Sequence, residues 1–264
     1  MSAIGLFLGT LATHQVNDMY SVPSYEEITD KGNNSGHFLV SQKKIIERSR
    51  QSAVRILSYS QKSGGLASSS GTYMRLRNNH FVLTTNHGIV GDCEDTKIMA
   101  DKKMYDCISF IETNSEVDYA LIQIEKIDNR SPIRIPHGMA RTKRDWTDAL
   151  SIMSKTYYTG FPNSLGPLTI GGKIMGYSPD DYIYVNSYAW SGSSGSGVFS
   201  QRGDYIGYVL AIDVGPGFNG PTILENVVLV VPAYRVNWGS VYAMSPPAQE
   251  TEDTAIYNET DSEE

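Results

Sequence analysis

Short segments rich in β-branched and aromatic residues recur along this chain, and they constrain its fold more than any other feature. Glycine, asparagine and serine separate one segment from the next. Runs of this composition, bounded by such turns, predict β-strands. A long succession of them favours an all-β barrel or sandwich. Eight segments fit this description: residues 53–58, 71–77, 81–85, 119–124, 168–175, 182–187, 205–212 and 227–231.

Helical signals are sparse. Residues 41–48 predict an amphipathic helix that leads into the first strands, and residues 233–241 predict a short closing helix. Residues 126–148 contain prolines and many charges, and they predict a crossover between two halves of one domain. The expected bounds are residues 41–244 for the domain, about 50–128 for its first half and about 150–236 for its second.

Three motifs supply the groups that a serine nucleophile requires. His87 follows one strand-like run, Asp118 precedes another, and Ser194 lies within the sequence Gly-Ser-Ser-Gly-Ser-Gly-Val. A serine hydroxyl is a weak nucleophile at neutral pH and needs an imidazole to accept its proton. A carboxylate on the far imidazole nitrogen fixes the tautomer and stabilises the imidazolium. We therefore predict Ser194 as the nucleophile, His87 as the general base and Asp118 as the orienting acid.

The glycines around Ser194 predict an oxyanion hole. The oxyanion of a tetrahedral intermediate must be met by backbone N–H groups, and a Cβ or a strained turn would obstruct that approach. The backbone amides of Gly192 and Ser194 are the predicted donors.

Each motif alone has a simpler explanation. A Gly/Ser run is often a flexible turn or linker. A single histidine is usually a packed or surface residue, and an acid such as Asp118 commonly starts a strand. The other histidines, His14, His37, His80 and His137, lack a comparable context. The coincidence of three signals in this order favours a catalytic site.

The sequence around the motifs resembles the trypsin-like serine proteases, and most closely their HtrA-type branch. Residues 81–90 resemble the strand and histidine turn of that family, and residues 160–162, Gly-Phe-Pro, resemble its Gly-x-Pro turn. Further segments match in the same order: residues 53–56, 63–65, 168–176, 206–212 and 228–232. His87 and Asp118 are 31 positions apart and Asp118 and Ser194 are 76 apart, a compact spacing that resembles the HtrA type.

The resemblance implies a chymotrypsin-like all-β fold of two six-stranded antiparallel β-barrels, with the active site between them. His87 and Asp118 would lie on the first barrel and Ser194 on the second. It also implies a serine endopeptidase that acts on polypeptide substrates. Only 32 residues follow Pro232, so we expect no PDZ domain in this chain.

The serine motif departs from the family at two positions. The family has Gly-Asn-Ser-Gly-Gly or Gly-Asp-Ser-Gly-Gly, whereas here Ser193 replaces the Asn or Asp and Ser196 replaces the second glycine. We expect Ser193 to contribute no more than loop geometry. Ser196 offers a second hydroxyl. Ser194 is favoured because it has a glycine two positions before it and one position after it.

The resemblance also assigns walls to the primary specificity pocket. They map to Tyr188, Leu210, Ala211 and Ile212, which are apolar or bulky. No acid maps to the pocket floor, and Asp213 is the nearest exception. We therefore expect a preference for small or medium uncharged side chains over lysine and arginine.

The ends of the chain differ in charge from the rest. Residues 245–264 contain seven of the 29 acidic residues and no Lys or Arg, which leaves 22 acidic against 22 basic residues elsewhere. This composition predicts a disordered acidic tail, with a processing or docking segment as the functional alternative.

Residues 3–12 are apolar but too short to span a bilayer. For residues 1–40, both a cleaved signal and a buried or disordered segment stay open.

The two cysteines, Cys93 and Cys107, are 14 positions apart, which leaves both a disulfide and two free thiols open.

Few partners besides polypeptides are indicated. Without metal-ligand spacing or a phosphate-binding loop, we expect no metal and no cofactor. Basic clusters such as residues 141–144 lack interleaved aromatics, so we expect no nucleic acid. We expect no firm membrane association, and a homo-oligomer stays open.

Three functions are compatible with these patterns. The first is an active serine endopeptidase, either a stand-alone quality-control protease or a viral-type protease that processes a polyprotein. The second is a catalytically inactive binding module that keeps the protease fold. The third is a structural β-protein with a Gly/Ser loop. The intact trio favours the first.

Overall fold

The structure is a computed structural model that describes residues 36–135, 150–217 and 220–244. Within these ranges, the side chains of residues 36–41, 211–223 and 225 lie outside the description. The predicted N-terminal segment up to residue 35, much of the predicted crossover and the acidic tail also lie outside the described residues. The described ranges contain all eight predicted strands and the three motifs.

Strands dominate the described part of the chain, which has thirteen strands and two α-helices. The helices are α1 (Gly36–Ser52) and α2 (Trp238–Met244). The strands are β1 (Ala53–Tyr59), β2 (Leu66–Leu76), β3 (Asn79–Thr84), β4 (Thr96–Ala100), β5 (Lys103–Asn114), β6 (Tyr119–Ile124), β7 (Ile133–Arg134), β8 (Lys155–Gly160), β9 (Leu168–Tyr177), β10 (Ile183–Asn186), β11 (Gly197–Ser200), β12 (Tyr205–Gly217) and β13 (Gly220–Pro232). Three short 3-10 turns are Asn86–Gly88, Pro162–Ser164 and Ala233–Arg235.

Barrel one is a closed sheet with the strand order β1-β4-β5-β6-β3-β2, in which β2 pairs back with β1. Each of these pairs is antiparallel. The two-residue β7 adds to β2 in parallel. Alternating side chains of the strands fill the barrel with a fully buried core that includes Ile56, Tyr73, Val82 and Ile122.

Barrel two closes in the order β10-β13-β12-β11-β8-β9, again with antiparallel pairs throughout. Its buried core includes Ile174, Phe199 and Val230, and the same cluster continues to Leu83 and Leu121 of barrel one. One apolar core therefore joins the two barrels. The prediction of two six-stranded antiparallel barrels is confirmed.

Helix α1 leads into β1 of barrel one but packs against barrel two. The hydroxyl of the buried Ser49 lies 2.8 Å from the Thr159 hydroxyl of β8. The Arg48 guanidinium donates to the Gly203 carbonyl at 2.9 Å. The helix thus bridges the barrels. Neither helix in the described ranges is long and apolar enough to cross a membrane.

A disulfide joins Cys93 to Cys107, with a Cα–Cα distance of 5.3 Å. Cys93 lies in the segment just before β4 and Cys107 lies in β5, so the bond joins the segment that enters β4 to the neighbouring strand β5. Of the two alternatives that the sequence left open, the structure has the disulfide.

Several elements differ from the sequence-based bounds. The sequence pattern missed β4, β5, β7, β8 and β11. Strand β5, for example, mixes polar and apolar residues without a regular alternation and is only partly buried along its length. Strand β2 begins at Leu66 rather than residue 71, because the serines before Gly71 pair with β1. Helix α1 is longer than predicted at both ends. The predicted closing helix is divided into the Ala233–Arg235 turn and α2, because Val236 between them is extended.

Candidate active site

Two paired strands bring His87 and Asp118 together. β3 ends at Thr84, β6 begins at Tyr119, and the register pairs Thr84 with Ala120. The turn after β3 and the residue before β6 therefore lie side by side. Asp118 Oδ2 lies 2.5 Å from His87 Nδ1, and Asp118 Oδ1 accepts the His87 amide at 2.8 Å. One carboxylate thus orients both the ring and the backbone of His87.

The surroundings of Asp118 favour its charged form. Burial raises the pKa of the Asp118 carboxyl, but hydrogen bonds from the His87 ring and amide, the charge of His87 and the Asn86 amide outweigh burial, so the pKa lies below its ordinary value. The Asp118 side chain is 20% exposed, against 51% for His87. A carboxylate in this position can stabilise an imidazolium.

A tyrosine of barrel two supports the Asp118 backbone. Asp118 has a left-handed φ of +60°, which is uncommon outside glycine. The hydroxyl of the buried Tyr208 donates to the Val117 carbonyl at 2.9 Å and lies 3.4 Å from the Asp118 carbonyl. Burial raises the pKa of Tyr208, so the hydroxyl keeps its proton. The sequence gives no sign of this contact, because Tyr208 has the pattern of an ordinary strand residue.

Ser194 lies in a tight turn that precedes β11, and we call residues 190–196 the serine turn. Gly192 and Gly195 have φ values of +91° and +87°, in the left-handed region that favours glycine. A Cβ on Gly195 would lie 2.1 Å from the Ser70 carbonyl oxygen of barrel one. The turn therefore requires glycine at position 195 for both conformation and space.

The serine turn presents two unpaired amides. Within the described residues, neither the Gly192 amide nor the Ser194 amide donates a hydrogen bond. The carbonyl of each preceding peptide is bonded: the Asn163 amide donates to the Ser191 carbonyl at 2.6 Å, and the Ser193 carbonyl accepts two donors within the turn. In a trans peptide, N–H and C=O point in opposite directions. Both amides therefore point away from these contacts, and both residues line the cleft between the barrels.

The two candidate hydroxyls differ in environment. Ser194 is partly exposed and lines the cleft. Ser196 is fully buried, and its hydroxyl donates to the Ser193 carbonyl at 2.6 Å. A Cβ on Gly160 would lie 2.1 Å from Ser196 Oγ, so Gly160 provides the space that Ser196 occupies. This pairing explains how the turn accommodates a serine where the family has glycine.

Ser193 shapes the serine turn through two contacts with Trp190. It is buried, and its hydroxyl accepts the Trp190 amide at 3.2 Å. Its own amide donates to the Trp190 carbonyl at 2.8 Å. Both contacts close the serine turn on itself.

The cleft between the barrels brings His87 and Ser194 to one surface. Among the described residues, no hydrogen bond joins the His87 ring to the Ser194 hydroxyl. Catalytic hydrogen bonds are often long or poorly aligned until a substrate binds. The arrangement thus has the acid–base pair on one wall and the serine on the other.

The other walls of the cleft are small or apolar. Barrel one contributes Leu66, Ala67 and Ser68, and barrel two contributes Ala189, Trp190 and Val209. In the described part of the cleft, His87 is the only side chain that can carry a charge. Among the described residues, no group of His, Cys, Asp or Glu side chains is placed to hold a metal.

Two of the predicted specificity residues, Tyr188 and Leu210, are absent from the lining of this cleft. The Tyr188 side chain is 54% exposed and stacks on Trp190, with ring centroids 6.1 Å apart. Leu210 packs partly buried against the core of barrel two. The side chains of Ala211 and Ile212 lie outside the described part of the structure. Ala189 and Trp190, which are not among the predicted residues, line the cleft.

Comparison with solved structures identifies the fold. The chain is similar to a serine endoprotease from Yersinia pestis, with a TM-score of 0.56 and 18% identity over 76% of this chain and 64% of that one. It is also similar to the active form of the Rv3671c protease from M. tuberculosis, with a TM-score of 0.55 and 15% identity over 80% of this chain and 86% of that one. No family model and no curated protein sequence matches.

These similarities, together with the two closed barrels, define a chymotrypsin-like protease fold. The chain spans less than two thirds of the length of the Yersinia protein. At these identities the similarity establishes the fold alone.

Proposed function

We propose that this protein is a serine endopeptidase in which Ser194 attacks the peptide carbonyl, His87 is the general base and Asp118 orients His87. The proposal rests on three features that meet at one cleft. These are a histidine hydrogen-bonded to an aspartate, a serine on a glycine turn, and two backbone amides without acceptors among the described residues. Acyl transfer through serine requires these parts. The HtrA-type branch stays a prediction from the sequence segments that resemble it.

In the proposed reaction, His87 Nε2 takes the proton of Ser194 as Oγ attacks the substrate carbonyl. The carbonyl oxygen becomes an oxyanion that accepts hydrogen bonds from the Gly192 and Ser194 amides. The C–N bond then breaks, and the leaving amine receives the proton from His87. A water molecule, deprotonated by His87, hydrolyses the acyl-enzyme and regenerates the Ser194 hydroxyl.

A fluorophosphonate probe tests the nucleophile. We expect the probe to label the wild type and Ser196→Ala but not Ser194→Ala, because of these two serines only Ser194 lines the cleft, whereas Ser196 is fully buried. Ser196→Ala is the matched control, since it removes the same atom two positions away. Labelling lost in Ser196→Ala and retained in Ser194→Ala would transfer the role to Ser196. An unlabelled wild type would favour a binding module that keeps the protease fold.

The cleft supports a substrate with an uncharged side chain at the cleaved bond. Ala189, Trp190 and Val209 line the barrel-two side, and no described lining residue carries a carboxylate to bind lysine or arginine. Burying an unpaired cationic side chain against such walls is costly. A peptide library should show cleavage after small or medium uncharged residues. Preferred cleavage after arginine would contradict this specificity.

A further inference from the structure

One buried serine of barrel one contacts the serine turn of barrel two through both its side chain and its backbone. Ser70 lies in β2 and has no exposed surface. Its hydroxyl donates to the Gly192 carbonyl at 2.6 Å, and its amide donates to the Ser194 carbonyl at 2.9 Å. These contacts cross the interface between the barrels at the two residues whose amides form the proposed oxyanion hole.

The direction of the Ser70 hydroxyl is fixed by a second contact. The Phe161 amide donates to Ser70 Oγ at 2.9 Å. A hydroxyl has one hydrogen to donate. Because the Phe161 N–H occupies a lone pair, the hydroxyl hydrogen is available to the Gly192 carbonyl. The chain of contacts thus runs from the Phe161 amide through the Ser70 hydroxyl to the Gly192 carbonyl.

The two peptides that flank Gly192 are held by two different donors. The Asn163 amide holds the Ser191 carbonyl at 2.6 Å, and the Ser70 hydroxyl holds the Gly192 carbonyl. Glycine rotates more freely than any other residue, so its amide keeps one direction only if both neighbouring peptides are anchored. Phe161 ties Ser70 to the segment that carries Asn163, which couples the two anchors.

We propose that Ser70 is a positioning residue that sets the direction of the oxyanion-hole amides from across the barrel interface. This inference rests on the proposed function and deepens it. Ser70 is absent from the cleft lining and so acts through the serine turn. Loss of its hydroxyl frees the Gly192 carbonyl and leaves the Phe161 amide without an acceptor in a buried position.

The test compares Ser70→Ala with Ser49→Ala. Ser49 is a matched control because its buried hydroxyl also bonds barrel two, at Thr159, outside the serine turn. Misplaced catalytic groups cost roughly 100-fold in rate, so we expect kcat of Ser70→Ala on an uncharged peptide to fall about 10- to 100-fold with little change in KM. We expect Ser49→Ala to keep kcat close to wild type. Ser70→Cys, which keeps the shape of the side chain but replaces the hydroxyl with a weak thiol donor, replaces Ser70→Ala if the alanine variant does not fold.

A wild-type kcat in folded Ser70→Ala would overturn the proposal. If the wild-type protein itself cleaves no peptide, the proposed function fails but the positioning claim is still decided by crystal structures of the wild type and the Ser70 variant. A Gly192 carbonyl that has turned away in the variant supports the claim. A Gly192 peptide in the same orientation in both proteins refutes it.

Discussion

The His87–Asp118 pair of barrel one and the serine turn of barrel two meet at the same cleft but are held differently. The pair depends on one carboxylate, partly exposed, that contacts the His87 ring and amide. The serine turn depends on backbone carbonyls bonded from several directions, including Ser70 of barrel one. The first region should therefore be sensitive to side-chain charge, and the second to backbone geometry.

Asp118→Asn should have the largest effect on rate, because it keeps the shape of the barrel-one region and removes its charge. An amide cannot stabilise the imidazolium, and it favours the wrong tautomer of His87. We expect kcat to fall by about 10⁴-fold, as for the equivalent change in a Ser-His-Asp triad.

Steady-state kinetics would measure this loss. Asp106→Asn is the control, since Asp106 is an exposed carboxylate paired with Lys97 at 2.7 Å. Equal activity of Asp118→Asn and Asp106→Asn would show that the charge of Asp118 has no role.

Gly195→Ala tests the barrel-two region by disturbing the backbone of the serine turn without removing any catalytic side chain. Its methyl group would meet the Ser70 carbonyl oxygen at 2.1 Å, and its φ of +87° is unfavourable for alanine. We expect a loss of about 100-fold or more in kcat and roughly 2 to 4 kcal/mol in the free energy of unfolding. Kinetics and denaturant titration measure the two effects.

The matched control is Gly176→Ala in β9, where an added Cβ would contact nothing within 4 Å. It should leave kcat near the wild-type value. A fully active Gly195→Ala protein would mean that the serine turn tolerates a backbone shift, and the contrast between the two regions would fail.

The sequence motifs predicted the residues with chemical roles but not those that hold them. His87, Asp118 and Ser194 stand out by residue type and order. Ser70 lies in a serine run that has the pattern of a loop, and the predicted strand began at the next residue. Its contacts with Phe161 and Gly192 join residues 91 and 122 positions away. Such contacts depend on how the barrels pack, for which the local pattern contains no signal.

Tyr208→Phe sharpens the comparison, because Tyr208 is the barrel-two residue that supports the barrel-one pair. The change removes the Tyr208 hydroxyl, and with it the hydrogen bond to the Val117 carbonyl, while the aromatic ring stays. We expect about 1 kcal/mol lower unfolding free energy and a several-fold lower kcat.

Tyr177→Phe is the comparison variant, since its hydroxyl donates to the Leu150 carbonyl at 2.6 Å without contact with Asp118. It should lose similar stability and keep kcat. If the two variants have the same kcat, Tyr208 supports the fold and not the site.

The smallest expected effect is a pH dependence of stability. The folded-state pKa of Asp118 lies below its unfolded value, so its stabilising contribution is present above the unfolded pKa and is lost as pH falls through the folded pKa. The difference in unfolding free energy between the wild type and Asp118→Asn should therefore shrink as pH falls from 7 through the ordinary aspartate range, about 4. Denaturant titrations at successive pH values measure this, and a constant difference would contradict it.

The central claim, that the two regions form one catalytic site, is tested most directly by a crystal structure with an uncharged peptide boronate. We predict a bond from boron to Ser194 Oγ, one boronate oxygen that accepts hydrogen bonds from the Gly192 and Ser194 amides, and a second within hydrogen-bond reach of His87. A boronate that is absent from saturated crystals, bonded to Ser196, or directed away from both amides would contradict the account.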